Sequence, residues 1–184
     1  MQWTNAYLAE NNLVDEFHRL LAEDKTLDNF TITLSSLHGS DVIYMACRNS
    51  PAPLGVTFRI GMKLPAVFSA TGKAMLARLD EAQLQAHLQL PWPQALTSHS
   101  TASPQALRDE LVQIRQQGYS VDDGQIREGM FCLGAAICNT RGGVEAGIAL
   151  SMTKAEAQPD VVEKVASGVM DIARHLSERF GAAM

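Results

Sequence analysis

Two runs of alternating residues flank the turn sequence NTRGG, and this pattern constrains the fold more than any other in the chain. The runs are FCLGAAIC (131–138) and VEAGIALSM (144–152), and their spacing about a Gly-Gly turn predicts an antiparallel hairpin. Bulky residues define one side of each strand: Phe131, Leu133, Ala135 and Ile137 in the first, and Val144, Ala146, Ile148, Leu150 and Met152 in the second. The opposite sides are small or weakly polar: Cys132, Gly134, Ala136 and Cys138, and Glu145, Gly147, Ala149 and Ser151. The bulky side is expected to meet core helices, and the small side leaves room for a ligand or for a closely packed helix.

The remaining elements surround this hairpin without a strict β-α-β alternation. Helices are predicted over 11–23 and 70–79, from Asp80 with Gln83 as a capping-box partner, from Ser103-Pro104 to Gly118, and from Pro159 onward. Strands are predicted in FTITLSSL (30–37), VIYMAC (42–47), VTFRI (56–60) and YSV (119–121). The order predicts one α+β domain, residues 1–184, with a mainly antiparallel sheet covered by helices.

Composition excludes several classes of function. The 184 residues carry a net charge of −5, which gives this chain no electrostatic footprint for nucleic acid. Three cysteines without C-x-x-C spacing indicate a reducing compartment, so a cytoplasmic location is expected. No apolar run is long enough for a membrane span. The five histidines lack metal-ligand spacing, so neither a metal nor a cofactor is expected, and there is no evident catalytic set.

The stretch FSATGKAMLA (68–77) superficially looks like a phosphate-binding loop. The loop motif needs glycine at the position of Val67 and Ser or Thr at that of Ala74, so nucleotide binding is not expected. Ser69 is a predicted N-cap, and the small residues after it leave backbone amides open to a small carboxylate. The alternative is a helix made small for tight packing, and Lys73 is expected on the surface in either case.

Asp122 ends a predicted strand close to the hairpin, where it could accept a hydrogen bond from a ligand hydroxyl. Asp122-Asp123-Gly124 also resembles a simple turn, which accounts for Asp123 and Gly124. Cys132 could be a nucleophile, although a strand cysteine is more often a small buried hydrophobe.

Two long segments resemble the effector-binding domain of the IclR family of bacterial transcription regulators. They are IGMKLPAVFSATGKAMLARLDEAQL (60–84) and LVQIRQQGYSVDDGQIREGMFCLGAAICNTRGGVEAGIALSM (111–152). The resemblance implies a GAF-like or profilin-like fold, with a curved antiparallel sheet flanked by helices. It also implies a homo-oligomer, dimer or tetramer, and a winged helix-turn-helix domain that would precede this chain and make the only DNA contacts.

The resemblance further implies a pocket over the sheet for a small organic acid or a related catabolic metabolite. The amides of Ala70 and Thr71 would hold a carboxylate or carbonyl oxygen. The other positions carried over are Asp122, Cys132 and Ser151 as polar wall and Met130 and Leu64 as apolar wall. Members that bind short keto acids tend to have serine where this chain has Ala149, so a longer or aromatic acid is expected here.

Three hypotheses follow. The first is the effector-sensing domain of a regulator, in which ligand binding modulates the attached DNA-binding domain. The second is an enzyme that acts on a small carboxylate through Cys132 or Asp122. The third is a dimerisation module without a ligand.

Overall fold

Helices cover both faces of one antiparallel sheet in this chain. The computed structural model describes residues 2–23, 25–51 and 57–182, with the backbone alone for 2–12 and 180–182. The strands are β1 (Thr31–His38), β2 (Asp41–Arg48), β3 (Lys63–Pro65), β4 (Ser120–Asp123), β5 (Met130–Cys138) and β6 (Val144–Thr153). The helices are α1 (Gln2–Glu23), α2 (Ala70–Leu76), α3 (Glu81–Leu88), α4 (Pro104–Gln117) and α5 (Pro159–Ala182). The predicted α+β class is confirmed.

The six strands lie in the order β3-β2-β1-β6-β5-β4, and all neighbouring pairs are antiparallel. The predicted C-terminal hairpin is β5–β6, and the predicted N-terminal hairpin is β1–β2. Irregularities interrupt the register between Leu34 and Ser35 and between Ile137 and Cys138. Such bulges bend a sheet locally, in keeping with the predicted curvature.

The two faces of the sheet carry separate cores. The bulky sides of β1, β5 and β6 pack against α1 and α5, as the alternation predicts, with Phe17, Leu133, Ile148 and Val169 fully buried. The small sides face α2, α3 and α4, which contribute Met75, Leu84 and Leu111 to the second core. No helix among the described residues has the length and hydrophobicity that a bilayer crossing requires.

The predicted helix boundaries rest on side-chain caps that the structure contains. The Ser69 hydroxyl accepts from the Gly72 amide, and Asp80 and Gln83 form the predicted capping box. Ser103 caps α4, which ends at Gly118 in the left-handed conformation with φ of 88°.

Two predictions about strands are wrong. VTFRI is not a strand: Val56 lies outside the described residues, 57–60 are irregular, and the edge strand is instead Lys63–Pro65. Val144 does not share the bulky side with Ala146, because the bulge pairs Cys138 with Val144 and reverses the alternation. Val144 therefore packs against the second core.

Candidate functional site

Helix α2 lies directly on the small side of the β5–β6 hairpin. A Cβ atom added to Gly134 would lie 2.6 Å from the carbonyl carbon of Ala70, and one added to Gly147 would lie 2.9 Å from Cβ of Thr71. The Ser120 hydroxyl donates to the Ala70 carbonyl at 2.5 Å and ties the helix start to β4. At these two glycines, therefore, the small residues serve the close approach of a helix.

One side-chain repeat from Gly134, polar side chains form a row across the sheet. Asp122 is paired with Cys132, Cys132 with Ser151, and Ser151 with Thr31. Directly paired residues have Cβ atoms about 5 Å apart on the same face. The structure thus brings together the three polar residues that the sequence singled out.

Asp122 is a buried carboxylate, with 1% of its surface exposed. Its Oδ1 accepts from the amides of Gln125 at 2.7 Å and Ile126 at 3.3 Å. Burial raises its pKa from 3.8 to about 6, although the nearby Lys73 charge and the two amide donors oppose the rise. Asp123 points the opposite way and is exposed, as expected for consecutive residues of a strand.

Cys132 and Tyr44 share this environment. Burial raises the pKa of the Cys132 thiol and the charge of Asp122 raises it further, while the Ser151 hydroxyl offsets part of the rise. A thiol held protonated in this way is a poor nucleophile. Burial likewise raises the pKa of Tyr44, and Cys132 and Asp122 raise it further. Tyr44 belongs to the same buried cluster as Cys132.

Lys73 is not on the surface, contrary to the prediction. It is fully buried, and its Nζ contacts Oε2 of Glu110 at 2.6 Å and the Val121 carbonyl at 2.5 Å. Glu110 also accepts from the Thr101 hydroxyl at 2.6 Å. Lys73 therefore joins α2 to α4 and β4, and its charge is already paired.

The other predicted site residues lie in the second core. Met130 is on the face of β5 that carries Cys132, and both belong to the same buried cluster as Leu64. Leu64 pairs with Val42 at the opposite edge of the sheet. Ala70 and Thr71 form the first turn of α2, and within the described residues no acceptor is recorded for their amides.

Sequence reasoning missed several residues that face this region. Phe58 packs edge-to-face on Tyr44, with ring centroids 5.0 Å apart. Thr33 and Ser35 occupy the face of β1 opposite Ile32 and Leu34. The alternation in FTITLSSL could have predicted this polar face, because its polar positions recur as regularly as its apolar ones. The described residues contain no group of three His, Cys, Asp or Glu side chains placed to hold a metal.

Known proteins share this fold and part of this sequence. The family model described as "Bacterial transcriptional regulator IclR C-terminal" matches residues 5–178. HTH-type transcriptional regulator BhcR of Paracoccus denitrificans is 28% identical over 179 residues, covering 97% of this chain and 63% of BhcR. The chain therefore spans somewhat less than two thirds of that relative.

Solved structures agree with this match. The Agobacterium tumefaciens repressor BlcR is 42% identical, with a TM-score of 0.85 over 98% of this chain and 71% of the BlcR chain. The C-terminal domain of Escherichia coli KdgR has a TM-score of 0.77 at 24% identity, over 96% of this chain and 98% of that one, and so shares the fold. BhcR and BlcR are named as a transcription regulator and a repressor. The chain belongs to the IclR family and is the C-terminal domain of a transcription regulator of that family.

Proposed function

We propose that this domain binds a small organic acid and thereby modulates DNA binding by an N-terminal winged helix-turn-helix domain. The observation that carries the proposal is the buried row of Asp122, Cys132 and Ser151 beside the start of α2. A carboxylate that remains buried with a raised pKa costs stability, and such groups concentrate at functional sites.

In the proposed complex, the amides of Ala70 and Thr71 donate to a carboxylate or carbonyl oxygen of the effector. The positive end of the α2 dipole favours negative charge at this position. Asp122 accepts a hydrogen bond from a hydroxyl of the effector, and Cys132 and Ser151 complete the polar wall. Met130 and Leu64 supply apolar contacts from the same buried cluster.

Ala149 makes this pocket differ from the pockets of family members that have serine at this position. It lies between Gly134 and Thr33 in the sheet and places a methyl group where a serine would place a hydroxyl. The wall next to Ser151 is therefore less polar, and it favours a longer or aromatic acid over a short keto acid.

The coupling to DNA follows from linkage. The effector stabilises one arrangement of the subunits in a cytoplasmic homo-oligomer and so shifts the geometry of the attached DNA-binding domains. The net charge of −5 supports DNA contact through that other domain rather than through this one. The names of BhcR, an HTH-type regulator, and of BlcR, a repressor, support this role.

Calorimetry and thermal unfolding with a panel of aliphatic, hydroxy, keto and aromatic carboxylic acids test the proposal. We expect saturable binding by at least one acid, with a rise in melting temperature. Ser151→Ala should weaken binding by roughly tenfold, the value of one hydrogen bond. The control is Ser167→Ala, on the exposed side of α5, which should leave the affinity unchanged. A panel without any binding acid would refute the proposal.

A further inference from the structure

Three buried hydroxyl groups on one face of the sheet have no hydrogen-bond partner among the described residues: Thr33 Oγ1, Ser35 Oγ and Thr71 Oγ1. Their residues are exposed by 1%, 0% and 1% respectively. Buried polar side chains in folded proteins are nearly always hydrogen-bonded, so a group of three without partners requires an explanation.

The three hydroxyls lie near one another. Thr33 and Ser35 are successive residues on the same face of β1, and Ser35 pairs with Gly147 on β6. Thr71 lies directly over Gly147, since a Cβ added to that glycine would be 2.9 Å from the Thr71 Cβ. We refer to Thr33, Ser35 and Thr71 as the hydroxyl cluster.

The hydroxyl cluster borders the proposed effector site. Thr33 pairs with Ala149, and Ala149 is two residues from Ser151 on the same face of β6. Thr33 is therefore one side-chain repeat, about 7 Å, from the Asp122–Cys132–Ser151 row along the strands, and Ser35 is two repeats, about 13 Å, from it. Thr33 places a hydroxyl on the neighbouring strand just where Ala149 lacks one.

Charge does not explain the cluster. Lys73, the nearest buried cation on α2, is held by Glu110 and the Val121 carbonyl and leaves the hydroxyls without an ionic partner. Each hydroxyl can both donate and accept, so a hydroxyl or carbonyl oxygen of a ligand can form hydrogen bonds with it.

We propose that the hydroxyl cluster is a second polar subsite, which binds a hydroxyl or carbonyl oxygen at the end of the effector remote from its carboxylate. This inference rests on the proposed function and narrows its ligand to acids with a second oxygen-bearing group. An acid of this kind satisfies the row and the cluster together, while an acid with an apolar tail leaves the cluster unpartnered.

The test compares pairs of acids that differ by one oxygen: pentanoate with 5-hydroxypentanoate, and benzoate with 4-hydroxybenzoate. In the wild-type chain we expect the oxygenated member of at least one pair to bind about tenfold more tightly by calorimetry. Thr33→Val, which keeps the side-chain shape, should reduce this preference to less than about threefold. Ser36→Ala is the matched control, because Ser36 lies on the other face of β1 beside His38 and should keep the preference.

Equal binding of both members of every pair by the wild type would overturn the subsite and leave the proposed function intact. A preference that survives in Thr33→Val would overturn it as well. Failure of every acid to bind would refute the proposed function itself.

The unliganded variant supplies a second measurement. Removal of an unpartnered buried hydroxyl should raise the melting temperature of Thr33→Val by about 2 °C or more. A lower melting temperature would show that the hydroxyl is already satisfied by buried water, and would overturn the subsite.

Discussion

The buried carboxylate of Asp122 should make this domain less stable as the pH rises. Asp122→Asn is the perturbation that isolates the effect, because asparagine has the same shape and its Oδ1 can still accept from the amides of Gln125 and Ile126. The variant removes the ionisable group and little else.

The magnitude follows from the difference between the folded and unfolded pKa of this group. The pKa rises from 3.8 to about 6 on folding, so between these values the folded chain binds more protons than the unfolded chain. The stabilisation from the protonated carboxyl is complete below pH 3.8 and is lost as the pH rises through about 6. The whole shift corresponds to about 3 kcal/mol, of which about 2 kcal/mol falls between pH 4.5 and pH 8.

Urea unfolding of the wild type and of Asp122→Asn at several pH values provides the assay. Relative to the wild type, the free energy of unfolding of the variant should increase by about 2 kcal/mol from pH 4.5 to pH 8. Asp123→Asn is the control, because that side chain is 49% exposed and paired with Lys154 at the surface. Its effect on the free energy of unfolding should vary by less than about 0.5 kcal/mol over the same pH range. A difference between Asp122→Asn and wild type that is independent of pH would refute the reasoning.

Three further predictions concern the elements around the site. Lys73→Met should lower the free energy of unfolding by about 2–4 kcal/mol, and addition of Glu110→Gln should recover part of the loss, as a double-mutant cycle in urea will measure. Gly134→Ala should cost about 1–3 kcal/mol in the same assay, because the new methyl group meets the Ala70 backbone, and a neutral effect would contradict the close packing of α2. Arg48→Met should lower the free energy of unfolding by about 2–3 kcal/mol, because Arg48 donates to the carbonyls of Leu21 and Leu27 at 3.0 and 2.9 Å. It should also speed amide hydrogen exchange at the end of α1, and unchanged exchange would contradict that role.

Local signals in the sequence were sufficient to predict most of the fold. The caps at Ser69, Asp80 and Ser103 act within three residues, so their geometry is specified locally. Lys73 shows where such reasoning fails: its partners Glu110 and Val121 lie 37 and 48 residues away, and nothing in FSATGKAMLA indicates them. Tertiary packing converts an apparent surface lysine into a buried ion pair.

The candidate site likewise has one part that the sequence predicts and another that depends on tertiary packing. The family segments and the small residues of the hairpin led to Asp122, Cys132 and Ser151, which the structure places side by side. Thr33 and Ser35 were not predicted as site residues, because only the apolar positions of β1 were interpreted. Their lack of hydrogen-bond partners depends on the cover that α2 provides, which is a property of the assembled fold.

A crystal structure of this chain with the acid that binds it most tightly is the most direct test of the central claim. We expect the ligand beside the start of α2, over the face of the sheet that carries Asp122, Cys132 and Ser151. An acid oxygen should lie about 3 Å from the amide of Ala70 or Thr71, and Asp122 and Ser151 should contact the ligand. A ligand bound elsewhere, for example in the groove between α1 and α5 that Leu20, Lys164 and His175 line, would contradict it.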